Sequence, residues 1–267
     1  MVRIHRFGAV AVVLTALIAI PVRAQARVDT SFAVKGGKLS AAMFTPAKTP
    51  APAVIVLHPK TGAGHEQADE AYAQALAGEG FVGIVVDYLA LADGKLWSPK
   101  IDAELSHVVD LLHDRPETRG EPVGIVGFSL GAHGILVSAR NPAVKAVVVY
   151  YGAYDVRKAK GLHLPPAVKL PVDVAAKVSA PVLLLHGAED NEIPVDNARE
   201  MEAALKAAGK RVTLMVYPGA YHRFDRGPTA TMDGDTNRQG YIYRYDQAAT
   251  KDAWRRSVAF LRANLGN

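Results

Sequence analysis

Short, continuous apolar runs recur along the chain, and each ends at glycine, proline or polar residues. The first, Pro52–His58, contains Ala-Val-Ile-Val-Leu, and such a run predicts a strand that is buried on both faces of a sheet. The same pattern predicts further strands at Phe81–Asp87, Val123–Phe128, Val144–Tyr151, Pro181–His186 and Val212–Tyr217. Ahead of them, Ser31–Val34 and Leu39–Phe44 flank Lys35-Gly36-Gly37-Lys38, which predicts a hairpin with a glycine turn.

Segments with helical periodicity lie between the predicted strands. One of them, Ile101–His113, is apolar along a single face. The residues of that face are Leu105, Val108, Val109 and Leu112. The other predicted helices are Glu66–Gly78, Leu130–Ala139, Asp196–Ala208 and Ala248–Leu265. Because strands and helices alternate, the sequence predicts an α/β fold in which a mostly parallel, twisted sheet carries helices on both faces.

The N-terminal residues have the layout of a secretory signal peptide. Basic residues at Arg3 and Arg6 precede an apolar stretch, Phe7–Val22, and small residues follow at Ala24 and Ala26. The apolar stretch has 16 residues, fewer than the roughly 20 that a membrane-spanning helix needs. We therefore expect residues 1–24 to be removed, with cleavage after residue 26 as the alternative, and residues 27–267 to form a single domain. The mature protein is expected in the periplasm or outside the cell, without stable membrane insertion.

This interpretation makes a prediction about the mature N-terminus. Small residues stand at the −3 and −1 positions of two possible cleavage sites, so the exported protein should begin at Gln25 or at Arg27. Mass spectrometry of the protein from its native host checks the expectation. A soluble cytoplasmic protein that still begins with Met1 would contradict it.

Composition narrows the classes of function. The formal net charge is +5, but Lys and Arg form no run of five and no nucleic-acid-binding motif is visible, so we expect no nucleic-acid partner. The chain has no cysteine, which excludes a thiolate nucleophile, a disulfide and a cysteine-based metal site. No histidine pair has the HExxH spacing of a zinc site, and no metal is expected. We expect a monomer that acts on a small molecule.

The sharpest chemical signal is Gly127-Phe128-Ser129-Leu130-Gly131. It stands where the predicted strand Val123–Phe128 meets the helix that follows. A nucleophilic serine at such a junction occupies a tight turn, and the flanking glycines remove Cβ atoms that would clash there. The N-terminal amides of the helix favour negative charge that develops beside the hydroxyl. The pattern predicts that Ser129 is a nucleophile.

Serine needs a base, and the base needs an acid that orients it. In folds with this serine turn, the acid and then the histidine follow the nucleophile on loops after later strands. Asp190 follows the fifth apolar run and His222 follows the sixth, so the order fits a triad of Ser129, Asp190 and His222. Glu189 and Glu192, on the same loop as Asp190, are the rival acids.

The oxyanion of an acyl-transfer reaction needs two amides beside the serine. One should be that of Leu130, directly after the nucleophile, and the other should come from the loop after Pro52–His58. Pro59 has no amide proton, so Lys60 is the expected donor and Thr61 is the alternative.

From about Ala51 to Leu265, the chain resembles the dienelactone hydrolase family of α/β hydrolases. The segments that carry the resemblance are 180–190, 193–195, 203–209, 217–224 and 253–261. It implies an α/β-hydrolase fold without a large cap domain, no cofactor, and hydrolysis of small carboxylic esters or lactones. Ser129 stands where the type enzyme of the family has cysteine, which points to a serine esterase mechanism through an acyl-enzyme.

The resemblance also bears on the substrate. The type enzyme holds the carboxylate of its substrate with two arginines; Arg226 matches one of these positions, while Leu91 stands at the other, so dienelactone itself is not expected. The side chains expected at the substrate pocket are His58, Tyr88, Tyr221, Phe224 and Arg226. The segment 225–244 is interpreted either as a substrate-gating loop or as a surface insertion. Two alternative functions stay open: an acyl transferase or peptidase on the same triad, and a non-catalytic binding protein of this fold.

Overall fold

The computed structural model describes residues 26–35, 37–62, 67–92, 94–157, 164–165, 167–227, 236–237 and 239–266. The expected signal peptide, residues 1–24, lies outside the described residues. So do residues 228–235 and 238 of the segment that follows His222.

In the described part of the chain, eight strands form one sheet in the order β1-β2-β4-β3-β5-β6-β7-β8. They are β1 (Val28–Val34), β2 (Gly37–Phe44), β3 (Ala53–Leu57), β4 (Val82–Val86), β5 (Val123–Phe128), β6 (Val144–Tyr150), β7 (Val182–Gly187) and β8 (Val212–Tyr217). Strands β3 to β8 are parallel, and β1 and β2 add an antiparallel edge beside β4. The predicted α/β architecture is confirmed: the apolar runs of β3, β4 and β5 are buried on both faces, as internal parallel strands require. The run Val212–Tyr217, which was predicted in the same way, forms the edge strand β8 and is only partly buried.

Five α-helices of the described residues cover the two faces of the sheet. They are α1 (Gln67–Gly78), α2 (Pro99–Asp114), α3 (His133–Arg140), α4 (Val195–Ala207) and α5 (Gln247–Leu265). Helices α2, α3 and α4 pack into one large apolar core, and α1 and α5 pack into another. A smaller apolar cluster includes Leu130 and Leu136. The apolar face that the sequence predicted for the first helix after β4 is buried in α2.

One predicted helix begins differently. The segment expected to be α-helical from Leu130 starts as a 3₁₀ turn, Ser129–Ala132, and becomes α-helical only at His133. The tight turn at the serine shortens the spacing of the first backbone hydrogen bonds, which a 3₁₀ helix accommodates.

None of the helices in the described ranges combines the length and the apolar character that crossing a bilayer requires. The carboxyl ends of the parallel strands β3, β5, β7 and β8 all lie at one edge of the sheet, so the loops that follow them converge there. These loops carry the residues singled out from the sequence.

Candidate active site

The turn after β5 holds Ser129 in a strained backbone conformation. Its φ of 54° lies in the left-handed region, which non-glycine residues seldom occupy. The neighbouring backbone comes very close: a Cβ on Gly127 would lie 2.0 Å from the carbonyl oxygen of Gly131. A Cβ on Gly131 would lie 2.4 Å from the carbonyl oxygen of Leu57, at the end of β3. Glycine is therefore required at both positions for the serine turn to lie against the neighbouring strand.

Three polar side chains form a hydrogen-bonded chain at this edge of the sheet. The Oγ of Ser129 lies 3.1 Å from Nε2 of His222, and Nδ1 of His222 lies 2.7 Å from Oδ2 of Asp190. All three residues are buried. With the Nδ1 proton donated to Asp190, Nε2 is left to accept the hydroxyl proton of Ser129. The three residues that the sequence proposed as a triad are thus brought together in the order that serine activation needs.

The carboxylate of Asp190 is fixed from several directions. Its Oδ1 accepts the backbone amides of Glu192 at 3.0 Å and Ile193 at 2.8 Å. Its Oδ2 also lies 3.2 Å from Nε2 of His186. Burial alone would raise the pKa of Asp190, but the charge of His222 and the hydrogen bonds from both histidines outweigh it and hold the pKa well below its usual value. The group therefore stays ionised and can stabilise a protonated His222.

His186, at the end of β7, is a further neighbour of the acid. Its Nε2 also lies 2.8 Å from the carbonyl oxygen of Ile193, on the far end of the acid loop. The side chain thereby links the end of β7 to both ends of that loop.

The histidine rests on a second strained residue. Among the described residues other than glycine, positive φ occurs at Ser129, Tyr151 and Arg223, and all three adjoin this site. The ring of Tyr151 meets that of His222 edge-on at a centroid distance of 4.7 Å, and its hydroxyl donates to Asp225 at 2.7 Å. Tyr151 therefore packs against the imidazole, a role that no local sequence pattern indicates.

A second carboxylate reaches the serine side of the histidine. Oε2 of Glu192 lies 3.6 Å from Nε2 of His222. The ammonium of Lys60 and the hydroxyl of Tyr243 both donate to this carboxylate. Tyr243 also pairs with His222 in an isolated parallel β-bridge, so the segment after the histidine folds back onto the site. Glu192 had been considered only as a rival acid, and Lys60 only for its backbone amide.

The two amides expected to bind an oxyanion come from the turn after β5 and the turn after β3. Leu130 is in the first turn of the helix after Ser129, where an amide has no acceptor within the helix. Lys60 lies in a turn that the amide of Gly62 closes by donating to Pro59 at 3.1 Å, directly after β3. Thr61 occupies the same turn and remains the alternative donor.

Four of the five residues expected at the pocket have buried side chains. His58, Tyr88 and Phe224 are fully buried. The rings of His58 and Tyr88 stack at 4.3 Å, and the Tyr88 hydroxyl donates to the backbone carbonyl of His58 at 2.7 Å. Phe224 packs against the rings of Tyr150, Tyr151 and Tyr217. The three side chains are therefore packed against other aromatic rings.

Arg226 is the fourth. Its guanidinium is buried, donates to Asp69 at 2.8 Å and to Asp225 at 3.2 Å, and lies 4.2 Å from the ring centroid of Phe128. Two carboxylates therefore compensate the charge that would have met a substrate carboxylate. Tyr221 is partly exposed, with the guanidinium of Arg244 over its ring.

No group of three or more histidine, aspartate or glutamate side chains within the described ranges is arranged to hold a metal ion.

Comparison with known proteins places the chain in a family. The profile of the "Dienelactone hydrolase family" matches residues 39–265. A protein of Yersinia pestis named "Putative carboxymethylenebutenolidase" is 30% identical over 249 residues, which cover 86% of this chain and 85% of that protein. An Escherichia coli K12 protein of the same name is 34% identical over 139 residues, which cover 52% of this chain and 45% of that protein.

Several of the curated relatives, among them the Escherichia coli protein, are matched over only about half of their length. A crystal structure from Klebsiella pneumoniae, described as that of a "Putative Dienelactone Hydrolase", superposes with a TM-score of 0.70 at 28% identity and covers 88% of this chain and 97% of that one. The extent of the family match, which takes in the serine turn, the acid loop and the histidine loop, shows that the chain belongs to the dienelactone hydrolase family.

Proposed function

We propose that this chain is a serine hydrolase that cleaves small carboxylic esters or lactones through an acyl-enzyme. The observation that carries the proposal is the buried, hydrogen-bonded chain of Ser129, His222 and Asp190 at the strained turn after β5. Hydroxyl, imidazole and carboxylate in this order are the groups that activate serine for attack on a carbonyl. The names of the relatives, carboxymethylenebutenolidase among them, support a lactone or ester as the bond that is cleaved.

The geometry defines how the reaction would proceed. Nε2 of His222 takes the hydroxyl proton as Oγ of Ser129 bonds to the carbonyl carbon, and the amides of Leu130 and Lys60 hold the oxyanion. His222 then gives the proton to the leaving alkoxide, and the acyl group stays on the serine. A water molecule attacks this ester with His222 again as base, and the acid is released as the serine regains its proton. Asp190 stabilises the imidazolium in both halves.

We also propose that the reaction takes place outside the cytoplasm, on the basis of the signal-peptide layout of residues 1–24. The mass measurement of the mature N-terminus tests that part independently of the chemistry.

The proposed activity predicts a specific substrate profile. Purified protein should hydrolyse short-chain 4-nitrophenyl esters and simple lactones and should leave unmodified peptides intact. A fluorophosphonate should label the protein covalently, with Ser129 as the modified residue in peptide mapping. Hydrolysis of the peptides alone would favour the peptidase alternative. A folded protein that shows neither ester hydrolysis nor covalent labelling would contradict the proposal.

A further inference from the structure

The carboxylate of Glu192 lies beside the atoms that would carry out the reaction. Its Oε2 is 3.6 Å from Nε2 of His222, the same nitrogen that lies 3.1 Å from Oγ of Ser129. A carbonyl carbon under attack must approach that oxygen to about 3–3.5 Å. A substrate in this position would therefore bring the groups near its scissile bond close to Glu192. The role of a triad acid is already filled by Asp190, so the triad itself does not explain a second carboxylate here.

This carboxylate is charged and held in place. Burial alone would raise the pKa of Glu192, but the charges of His222 and Lys60 and the hydrogen bonds from Lys60 and Tyr243 outweigh it and lower the pKa. Lys60 comes from the loop after β3 and Tyr243 from the segment after His222, so two separate loops fix the position of the carboxylate.

The surrounding charges do not cancel that of Glu192 at the serine. The Glu192 side chain is only 8% exposed, whereas the Lys60 side chain is 52% exposed. Water therefore screens the ammonium more strongly than the carboxylate. Of the neighbouring arginines, Arg226 is ion-paired with Asp69 and Asp225. The guanidinium of Arg223 lies 5.5 Å from the centroid of the Tyr243 ring and offsets only part of the carboxylate charge. The potential beside the nucleophile is thus expected to be negative.

We propose that Glu192 determines the charge class of the substrate, so that the site disfavours acyl groups bearing a carboxylate near the scissile bond and favours neutral ones. The inference rests on the proposed hydrolase function and adds a substrate class to it: neutral esters and lactones. Like charges in a poorly screened site repel each other. A carboxylate on the substrate would therefore be disfavoured both when the substrate binds and in the transition state.

Two esters with the same leaving group and acyl chains of similar length test the proposal. They are 4-nitrophenyl butyrate, which is neutral, and 4-nitrophenyl hemisuccinate, which carries a carboxylate. The quantity measured is the ratio of kcat/KM for the hemisuccinate to kcat/KM for the butyrate. The wild-type ratio should lie well below one, and Glu192→Gln should raise it about tenfold, a magnitude that fits one unit charge partly compensated at this distance. Lys60→Met, which removes the compensating cation, should lower the ratio further.

Two further variants separate the charge at this position from other effects. Glu189→Gln removes one negative charge from an exposed position of the same loop and should leave the ratio unchanged. Tyr243→Phe removes a hydrogen-bond donor but keeps the Glu192 carboxylate, so the ratio should stay close to that of the wild type.

The possible failures are distinguishable. Butyrate turnover with the same ratio in wild type and Glu192→Gln, or an equal rise in Glu189→Gln, would overturn the inference alone. Should Glu192→Gln not fold, Lys60→Met decides, because a ratio that does not fall in that variant would overturn it. A folded wild-type protein that turns over neither ester would contradict the proposed function itself.

Discussion

Replacing Ser129 by alanine should reduce ester hydrolysis by at least roughly 10⁴-fold while the protein stays folded. The hydroxyl is the group that would bond to the substrate, and its partner is the imidazole of His222 at 3.1 Å. Alanine keeps the Cβ and makes the same demand on the left-handed backbone at this position, so the turn should persist. Steady-state rates with 4-nitrophenyl butyrate and a thermal melt of the same preparation measure the two expectations.

Ser31, which is exposed on the edge strand β1, provides a matched control. Ser31→Ala should retain the wild-type rate and the wild-type labelling by fluorophosphonate, whereas Ser129→Ala should lose both. A folded Ser129→Ala protein with near-wild-type turnover would rule out serine as the nucleophile.

Replacing Asp190 by asparagine should lower kcat by roughly 10³ to 10⁴, with little change in KM. The Oδ1 of the new side chain can still accept the amides of Glu192 and Ile193, so the loop should keep its shape. The amide nitrogen would then face Nδ1 of His222 and force the tautomer in which Nε2 carries the proton. In that tautomer the imidazole cannot accept the proton of the serine. Nε2 of His186 would also meet a donor where it now meets a carboxylate oxygen.

Kinetics of Asp190→Asn and Glu189→Gln side by side give the decisive comparison. Glu189 is exposed on the same loop, and its loss should change kcat little. A mild effect of Asp190→Asn would mean that the orienting acid is misassigned, although Ser129 could still be the nucleophile.

The fold could be predicted closely because its internal parallel strands are buried on both faces. Val123–Phe128 and Val212–Tyr217 have the predicted bounds in the structure, and the other apolar runs differ by one residue at their ends. A strand that is buried on two faces requires an uninterrupted apolar run, and a helix that packs on one face requires apolar residues with a 3.6-residue period. The family was also predictable, since the serine turn and the acid loop are local motifs.

The surroundings of the site could not be read in the same way. Glu192, Lys60 and Tyr243 are far apart along the chain, and their meeting depends on how three loops fold over one another. The buried position of the Arg226 side chain depends on Asp69, which lies on α1, 157 residues earlier in the chain. The family resemblance placed Arg226 at the substrate pocket, whereas its ion pair with Asp69 is a long-range contact that no local motif encodes. Local periodicity contains no information on such contacts.

The serine turn is positioned by direct contact between main-chain segments. Gly127 and Gly131 bring the end of β5 and the start of the next helix against the carbonyl of Leu57 with no side chain between them. Substitutions elsewhere in the cores thus have few direct routes by which to shift the nucleophile. The groups that would meet a substrate stand instead on loops, which tolerate exchange. Substitutions in the loops can therefore change the specificity while the serine turn keeps its geometry. A scaffold of this kind can readily evolve new specificities.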